Sequence, residues 1–259
     1  MLDSVLAQNR PADRIILYIP TSYRRFPDWD GSLPEVPEGV EIHRTDQDLG
    51  PATKVLAAAR EFAGQIVDLL FCDDDRDYPS NWTTRFLRAR AKHPDCAIAL
   101  IGRQAGTMAE SSRNREWKPR ALRRWRVTHI RFQLHFLWMQ IRAGRNWRQV
   151  WPPHRKVYMR SGYIDIFEGC GGVMVRPEFF DKLAFDIPKV LWSVDDVWLS
   201  GMVTRLDVPI WLVANVRDPD ETDANNYSAL IDSVIDGADR EAANRMAVEY
   251  MQQNFGIWL

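Results

Sequence analysis

The apolar run Leu69-Leu70-Phe71-Cys72 ends abruptly in Asp73-Asp74-Asp75, and Tyr78-Pro79 follows before a helical pattern begins. Three adjacent carboxylates repel one another, so an exposed loop gains nothing from them. At the C-terminal end of a buried strand they form an oxygen-rich site for a hard cation, Mg²⁺ or Mn²⁺, and such a cation commonly bridges to phosphate oxygens. A nucleotide-bearing substrate is the first expectation. Set against it is a plain strand end followed by a solvated, helix-capping acidic turn.

The surrounding pattern says what kind of sheet such a strand belongs to. Leu2 to Asn9 reads as helix, Arg14 to Ile19 as a strongly apolar strand, Thr21 to Gly39 as loop and Val40 to His43 as a short strand. Pro51 suits the first turn of a helix running to about Ala63 and stopped by Gly64. Ile66 to Phe71 is the next strand. Pro79 to His93 is a helix with Trp82, Phe86 and Leu87 turned inward, and Cys96 to Ile101 is a strand. Strand alternating with helix predicts an α/β fold with a doubly wound, mostly parallel sheet flanked by helices. An α/β sheet ordinarily opens on a strand, so a first strand is expected to be missing before Met1. Ligands of such sheets bind beyond the carboxyl ends of the strands, where the aspartates, the Pro20-Thr21 loop and the Gly50-Pro51 turn would meet.

The 259 residues, 46% hydrophobic and 27% charged, suffice for one large domain with a sizeable core. The expected organisation is a single domain over 1–259: a nucleotide and metal half (1–102), a basic aromatic helical insertion (103–160), and an acceptor half with a closing helix (161–259). Three cysteines without metal-like spacing fit a reduced, cytoplasmic interior. No apolar signal region opens the chain and no run is long enough to span a bilayer.

The net charge of −1 conceals a segregation. Arg103 to Arg160 carries 15 Lys and Arg against two acids, a net of +13, which leaves −14 on the remainder. Ala121 to Ala143 reads as one helix with Trp125, Ile130, Leu134, Leu137, Trp138 and Ile141 along one side. Trp117, Trp147 and Trp151 add to the aromatic content. An anionic lipid surface suits this mixture and, if it is the partner, would place the cytoplasmic chain peripherally at the inner face of a membrane. Nucleic acid is the competing and less favoured partner. The bland alternative is intramolecular, with the basic segment folded over the acidic remainder and its tryptophans packed on the sheet.

After the insertion, Tyr163 to Val175 contains two apolar stretches joined by Gly169-Cys170-Gly171-Gly172, which would either line a sugar-sized cavity or simply bend the chain. Pro177 starts a short helix through Leu183. Ser193 is the expected N-cap of a helix whose first turn carries Asp195 and Asp196. Pro209 to Val213 is a strand, Asp223 to Asn226 a polar loop, and Arg240 to Asn254 a closing helix. Lys54, on the first turn of its helix, lies near N–H groups that favour phosphate, although alone it is an ordinary solvated lysine. Asp195 and Asp196 are ordinary dipole-stabilised acids unless they face the metal, where one would serve as general base. The chain has no P-loop, no HExxH and no nucleophile elbow.

Several segments together resemble GT-A-fold glycosyltransferases, in particular a bacterial, family-2-like branch of that superfamily. Ser4 to Asn9 with Pro11 to Ile19, Asp48 to Lys54, Phe71 to Asp75 with Tyr78, Pro79 and Trp82, Gly169 to Arg176 with Phe179 and Phe180, and Asp195 to Leu199 occur in the family's order. The likeness covers roughly residues 1–102 and 161–214. It implies a GT-A-like fold and a metal-dependent, inverting transfer of sugar from a nucleotide-sugar donor to a glycan or lipid-linked acceptor. It implies Mn²⁺ or Mg²⁺ held by Asp75 and Asp73, with Asp73 and Asp74 toward the nucleotide and Thr21, Lys54, Gly171 and Gly172 along the donor. Asp196 matches the catalytic base and Asp195 its acidic neighbour. Family members begin with a strand and a Thr/Ser-rich nucleotide loop, and by this likeness that strand is expected to be missing before Met1. Two other readings use the same residues: a catalytically silent nucleotide-sugar- or polyanion-binding module, and a Mg²⁺-dependent nucleotidyltransferase or phosphohydrolase.

Overall fold

A computed structural model describes residues 1–110, 117–222 and 240–259. In chain order the helices and strands are α1 (Leu2–Leu6), β1 (Ile15–Pro20), β2 (Val40–Thr45), α2 (Thr53–Glu61), β3 (Leu69–Phe71), β4 (Arg76–Asp77), α3 (Trp82–Arg90), β5 (Ala97–Ala99) and β6 (Gly102–Arg103). There follow β7 (Leu122–Arg123), α4 (Ile130–Ala143), β8 (Tyr158–Arg160), β9 (Gly162–Ile164), β10 (Ile166–Phe167), β11 (Val173–Val175), α5 (Asp195–Arg205), β12 (Ile210–Leu212), β13 (Asp220–Glu221) and α6 (Arg240–Phe255).

The central sheet has the order β3-β11-β5-β12-β9. Its residues alternate between two apolar clusters, as the period-2 geometry of strands requires. Ala97, Ala99, Val173, Val175, Ile210 and Leu212 face a cluster shared with α2, α5 and α6, whereas Ile98 and Met174 face Trp82 and Phe86 of α3. Helices therefore cover both faces of an α/β sheet. The direction of the strands departs from expectation. β11 runs antiparallel to both β3 and β5, β9 runs antiparallel to β12, and only the β5–β12 pair is parallel. The sheet is mixed, not mostly parallel, because β9 and β11 both run against β5 and β12, and the glycine segment between them carries the chain across the sheet without reversing it. β1 and β2 form a separate parallel pair.

The antiparallel pairing of β11 with β3 positions the site. Val173, the first residue of β11, pairs with Phe71, the last of β3. The segment entering β11 and the segment leaving β3 must therefore meet at one end of the sheet, and these are the glycine bend and the aspartates.

Other expectations shift for local reasons. The β3 strand begins at Leu69, and Ile66, expected inside it, is almost fully exposed in the preceding turn. Leu87 lies on the outer side of α3, while Trp82 and Phe86 are buried. The helix expected over Ala121 to Ala143 starts only at Ile130, because Leu122–Arg123 pairs with Tyr158–Arg160 as a strand. The segment after Pro177 forms two 3₁₀ turns instead of one helix. Ser193 does not cap α5; Val194 occupies that position without a side-chain bond. Trp125, Trp138, Trp147 and Trp151 are exposed, so they are not packed on the sheet. The polar loop expected over 223–226 lies outside the described residues. Among the described residues no helix is long and apolar enough to cross a membrane.

Candidate active site

Four segments distant in sequence converge at the β3–β11 end of the sheet. The first turn of α2 projects Lys54, whose ammonium lies 2.5 Å from Asp73 Oδ1 and 2.9 Å from Asp195 Oδ2. Asp73 follows β3 by two residues, and Asp195 and Asp196 open α5. The Gly169 N–H donates to Asp196 Oδ1 at 3.0 Å and ties the glycine bend to the same cluster. A Cβ on Gly169 would stand 2.6 Å from Lys54 Nζ and 2.7 Å from Asp73 Oδ1, so only glycine admits the lysine–aspartate contact in this form. Beneath it the Lys54 ammonium sits 5.7 Å from the centre of the Phe71 ring.

The scaffold around the cluster is pinned by aromatic hydrogen bonds. Tyr78 Oη donates toward Asp73 O at 3.1 Å and Cys170 O at 3.3 Å, joining the aspartate turn to the bend. The Trp82 indole donates to Gly171 O at 2.9 Å. On α5, the Trp198 indole donates to Ala184 O at 2.8 Å and Ser200 Oγ accepts from Phe167 N at 3.0 Å, which fixes the helix carrying Asp195 and Asp196. Gly172 adopts φ +84°, and a Cβ there would come within 2.4 Å of Trp82. Gly171 is closed off in the same way by Ile101. These two glycines, expected along the donor, make room for core side chains. Gly169 is the one that makes room for charge.

The electrostatics follow from burial and proximity. Burial works to lower the Lys54 pKa, but Asp195, Asp73 and Asp196 outweigh it and hold the ammonium well above its usual value. Asp196 is held well above the ordinary carboxylate range, first by burial and then by the charge of Asp195, with Lys54 pulling the other way. Such a carboxyl is better matched to proton transfer near neutrality than an ordinary aspartate.

Asp74 is exposed in the turn. The Asp75 carboxyl is pushed up by burial, against the pull of Arg76 and with Asp73 and Asp74 adding to the rise. Asp75 Oδ1 is buried without a hydrogen-bond partner and lies 3.4 Å from Arg76 Nε; Arg76 in turn bonds Glu221 at 2.9 Å. Thr222 N donates to Asp75 O at 2.9 Å. The triplet does not cap α3, whose N-cap is Asn81. Thr21 is exposed past the end of β1, its N–H donating to Thr45 O, and it takes no part in the ion pairs of the cluster.

Among the described residues no group of three or more His, Cys, Asp or Glu is arranged to close on a metal ion. A Mg²⁺ or Mn²⁺ ion needs only one or two carboxylates when phosphate and water complete its shell. The buried Asp75 Oδ1, without a hydrogen bond and only 3.4 Å from the Arg76 guanidinium, fits such a role, with Asp73 beside it engaged by Lys54. Arg76, Glu221 and Tyr78 are partners not expected from sequence. The Tyr78 position is visible in the Tyr-Pro pair after the aspartates, whereas nothing local links Arg76 to Glu221. Two cavities, of about 450 and 260 Å³, have linings that include none of Lys54, Asp73, Asp195 and Asp196. Compared with models of known protein families and with curated proteins, the chain matches none.

Proposed function

We propose that the chain is a metal-dependent glycosyltransferase on a GT-A-type fold, moving a sugar with inversion from a nucleotide-sugar donor to a glycan or lipid-linked acceptor hydroxyl. The observation that supports it is the convergence of Lys54, Asp73, Gly169, Asp195 and Asp196, from four segments, on one end of the sheet. An acidic surface turn has no need of a half-buried lysine, nor of a glycine kept clear for it.

In this reading Asp196 takes the proton of the acceptor hydroxyl as that oxygen forms a bond to the anomeric carbon. The bond from the anomeric carbon to the donor phosphate breaks, and the nucleoside diphosphate leaves with the electron pair. The Gly169 N–H holds Asp196 Oδ1 so that its other oxygen is available for the proton. Lys54 is the fixed positive charge nearest this point, and Asp73 and Asp195 aim it; it balances charge developing on the diphosphate. Asp75, with Asp73, would hold Mg²⁺ or Mn²⁺, which when bound neutralises phosphate charge. A second reading, a catalytically silent nucleotide-sugar-binding module, is favoured by one observation: Lys54 is already paired with two carboxylates, so a diphosphate must compete for it.

Thermal shift with UDP-, GDP-, CMP- and dTDP-sugars, with and without Mn²⁺, tests the site. One donor should raise the melting temperature only when metal is present, and release of that donor's nucleotide on adding acceptor separates the enzyme from the silent module. No metal-dependent stabilisation by any nucleotide sugar overturns the enzyme, and no stabilisation with or without metal overturns both.

A further inference from the structure

The helix α4 buries the wrong amount of itself for a helix that serves only the fold. Phe132 is buried, and Phe136 and Met139 on the same side are partly covered. At about 100° per residue, Ile130, Leu134, Leu137, Trp138 and Ile141 fall within an arc of roughly 100° on the opposite side. That arc faces outward: Ile130 is 69% exposed, Leu134 62% and Ile141 68%. Single exposed apolar residues need no explanation, but a continuous stripe of four aliphatic side chains does. Trp125 and Trp151, which precede and follow the helix in the chain, are 77% and 86% exposed.

The charge around the stripe is of one sign. From Trp117 to Arg160 the sequence has 12 Lys and Arg and neither Asp nor Glu. Arg120 pairs with Asp165, but Arg123, Arg126, Arg131, Arg142, Arg145 and Arg148 make no ion pair with any described residue. Arg142 lies 4.7 Å from the centre of the Trp138 ring, so a cationic head sits at the border of the apolar stripe, and just past the helix Arg148 lies 5.3 Å from the centre of the Trp147 ring.

We infer that this surface docks on an anionic phospholipid bilayer, with Ile130, Leu134, Leu137 and Ile141 at the acyl boundary and the flanking arginines among the headgroups. A helix of 14 residues is too short to span and long enough to lie in the interface. Charge complementarity selects the occupant. A second copy would bring two strongly basic surfaces together. A nucleic acid would satisfy the arginines and stack on the tryptophans, but it would leave the aliphatic stripe in water. The inference stands independently of the transferase reading, since none of these residues belongs to the Lys54 cluster.

Flotation of the full chain with phosphatidylcholine vesicles, alone or carrying phosphatidylglycerol, tests it. Binding is expected only with phosphatidylglycerol and should weaken about tenfold or more as salt rises, because the headgroup attraction is screened. The double substitution Leu134→Glu with Ile141→Glu, both at exposed positions, should abolish flotation while leaving the unfolding midpoint unchanged. Arg142→Gln with Arg145→Gln should reduce it. Equal binding to both vesicle types, or to neither, overturns the inference. So does flotation of the Leu134→Glu, Ile141→Glu variant at wild-type level. A dimer or an oligonucleotide complex lost in the variants, with no vesicle binding by the parent chain, also overturns it.

Discussion

Lys54 and Asp195 meet at 2.9 Å although one opens α2 and the other opens α5. The same ammonium holds Asp73, so a single cation neutralises carboxylates from two elements that would otherwise repel each other. Removing one partner of a mostly buried pair leaves the other charges uncompensated. Lys54→Met should destabilise the protein by about 2–3 kcal/mol, toward the low end of what buried pairs lose because the side chain keeps some solvent contact. Adding Asp195→Asn should recover part of that loss. Urea unfolding of the two single variants and the double variant measures the coupling. A single-variant loss below about 0.5 kcal/mol, the size expected of a surface pair, would remove the cluster's structural role.

Gly169 tests whether the same contact matters for ligands. Its missing Cβ leaves the space through which Lys54 reaches Asp73. Gly169→Ala should cost about 1–3 kcal/mol of stability, the range for overpacking a filled site. Donor-dependent thermal stabilisation should fall by a larger factor than it does in Gly171→Ala, whose clash is with Ile101 away from the charges. Equal effects at the two glycines would assign both to the packing of the bend.

Much of this site was legible along the chain because each contributing residue announces itself locally. An apolar run stops at carboxylates, a proline opens the α2 region, glycines cluster, and paired acids open a helix. Convergence was not legible, because it depends on the direction of β11. Val173, Met174 and Val175 are all buried, so the strand shows no alternation and carries no local mark of which way it runs. The misplaced start of α4 has a similar origin. Leu122 and Arg123 fit a helical pattern, but their pairing with Tyr158–Arg160 is fixed by residues far along the chain. Ile66 and Leu87 are apolar residues left in solvent, which pattern alone reads as buried. The exposed face of α4 was visible as periodicity, but only packing shows which of its two apolar sides the fold covers.

A pH dependence of stability unrelated to the site follows from His43. Its pKa is raised, chiefly by the hydrogen bond with Glu61 at 2.8 Å, with burial opposing and Glu41 adding; Tyr18 shares Glu61, and Arg14 approaches the far side of the ring. A folded value above the unfolded one, about 6.5, means that the charged imidazole favours the native state fully below that pH. The contribution disappears as pH rises through the folded value. Denaturation midpoints of the wild type should therefore fall between mildly acidic and mildly basic pH more than those of His43→Gln. Parallel curves for the two proteins would remove His43 as the cause.

In the proposed transferase the group that sets the pH dependence is Asp196, whose carboxyl burial and Asp195 hold well above the ordinary range. As the base it works deprotonated, so the transfer rate should rise with pH along a limb lying above the ordinary aspartate value of about 3.9. Asp195→Asn removes the repelling neighbour and should move that limb to lower pH, whereas Asp196→Asn should abolish the limb and reduce the rate by about 10²-fold or more. Initial rates across pH for the three proteins distinguish the roles. If Asp196→Asn kept the limb and the rate, the base would lie elsewhere.

Asp75 offers a substitution whose effect should change sign with conditions. Its carboxyl is raised by burial and by Asp73 and Asp74, its Oδ1 lacks a hydrogen-bond partner, and Arg76 keeps Glu221 if Asp75 is neutralised. Without metal, Asp75→Asn removes a repelled charge and should leave stability equal or slightly higher, within about 0.5 kcal/mol as for most changes near the surface. If the site takes Mn²⁺ and donor as proposed, the wild type should gain stability by ligand linkage and the variant should gain little, because an amide is a poor substitute for a carboxylate on a hard cation. Melting temperatures measured on both proteins, with and without Mn²⁺ and nucleotide sugar, make the four-way comparison. An Asp75→Asn variant stabilised as strongly as wild type would mean that Asp75 shapes the turn and does not hold the ion.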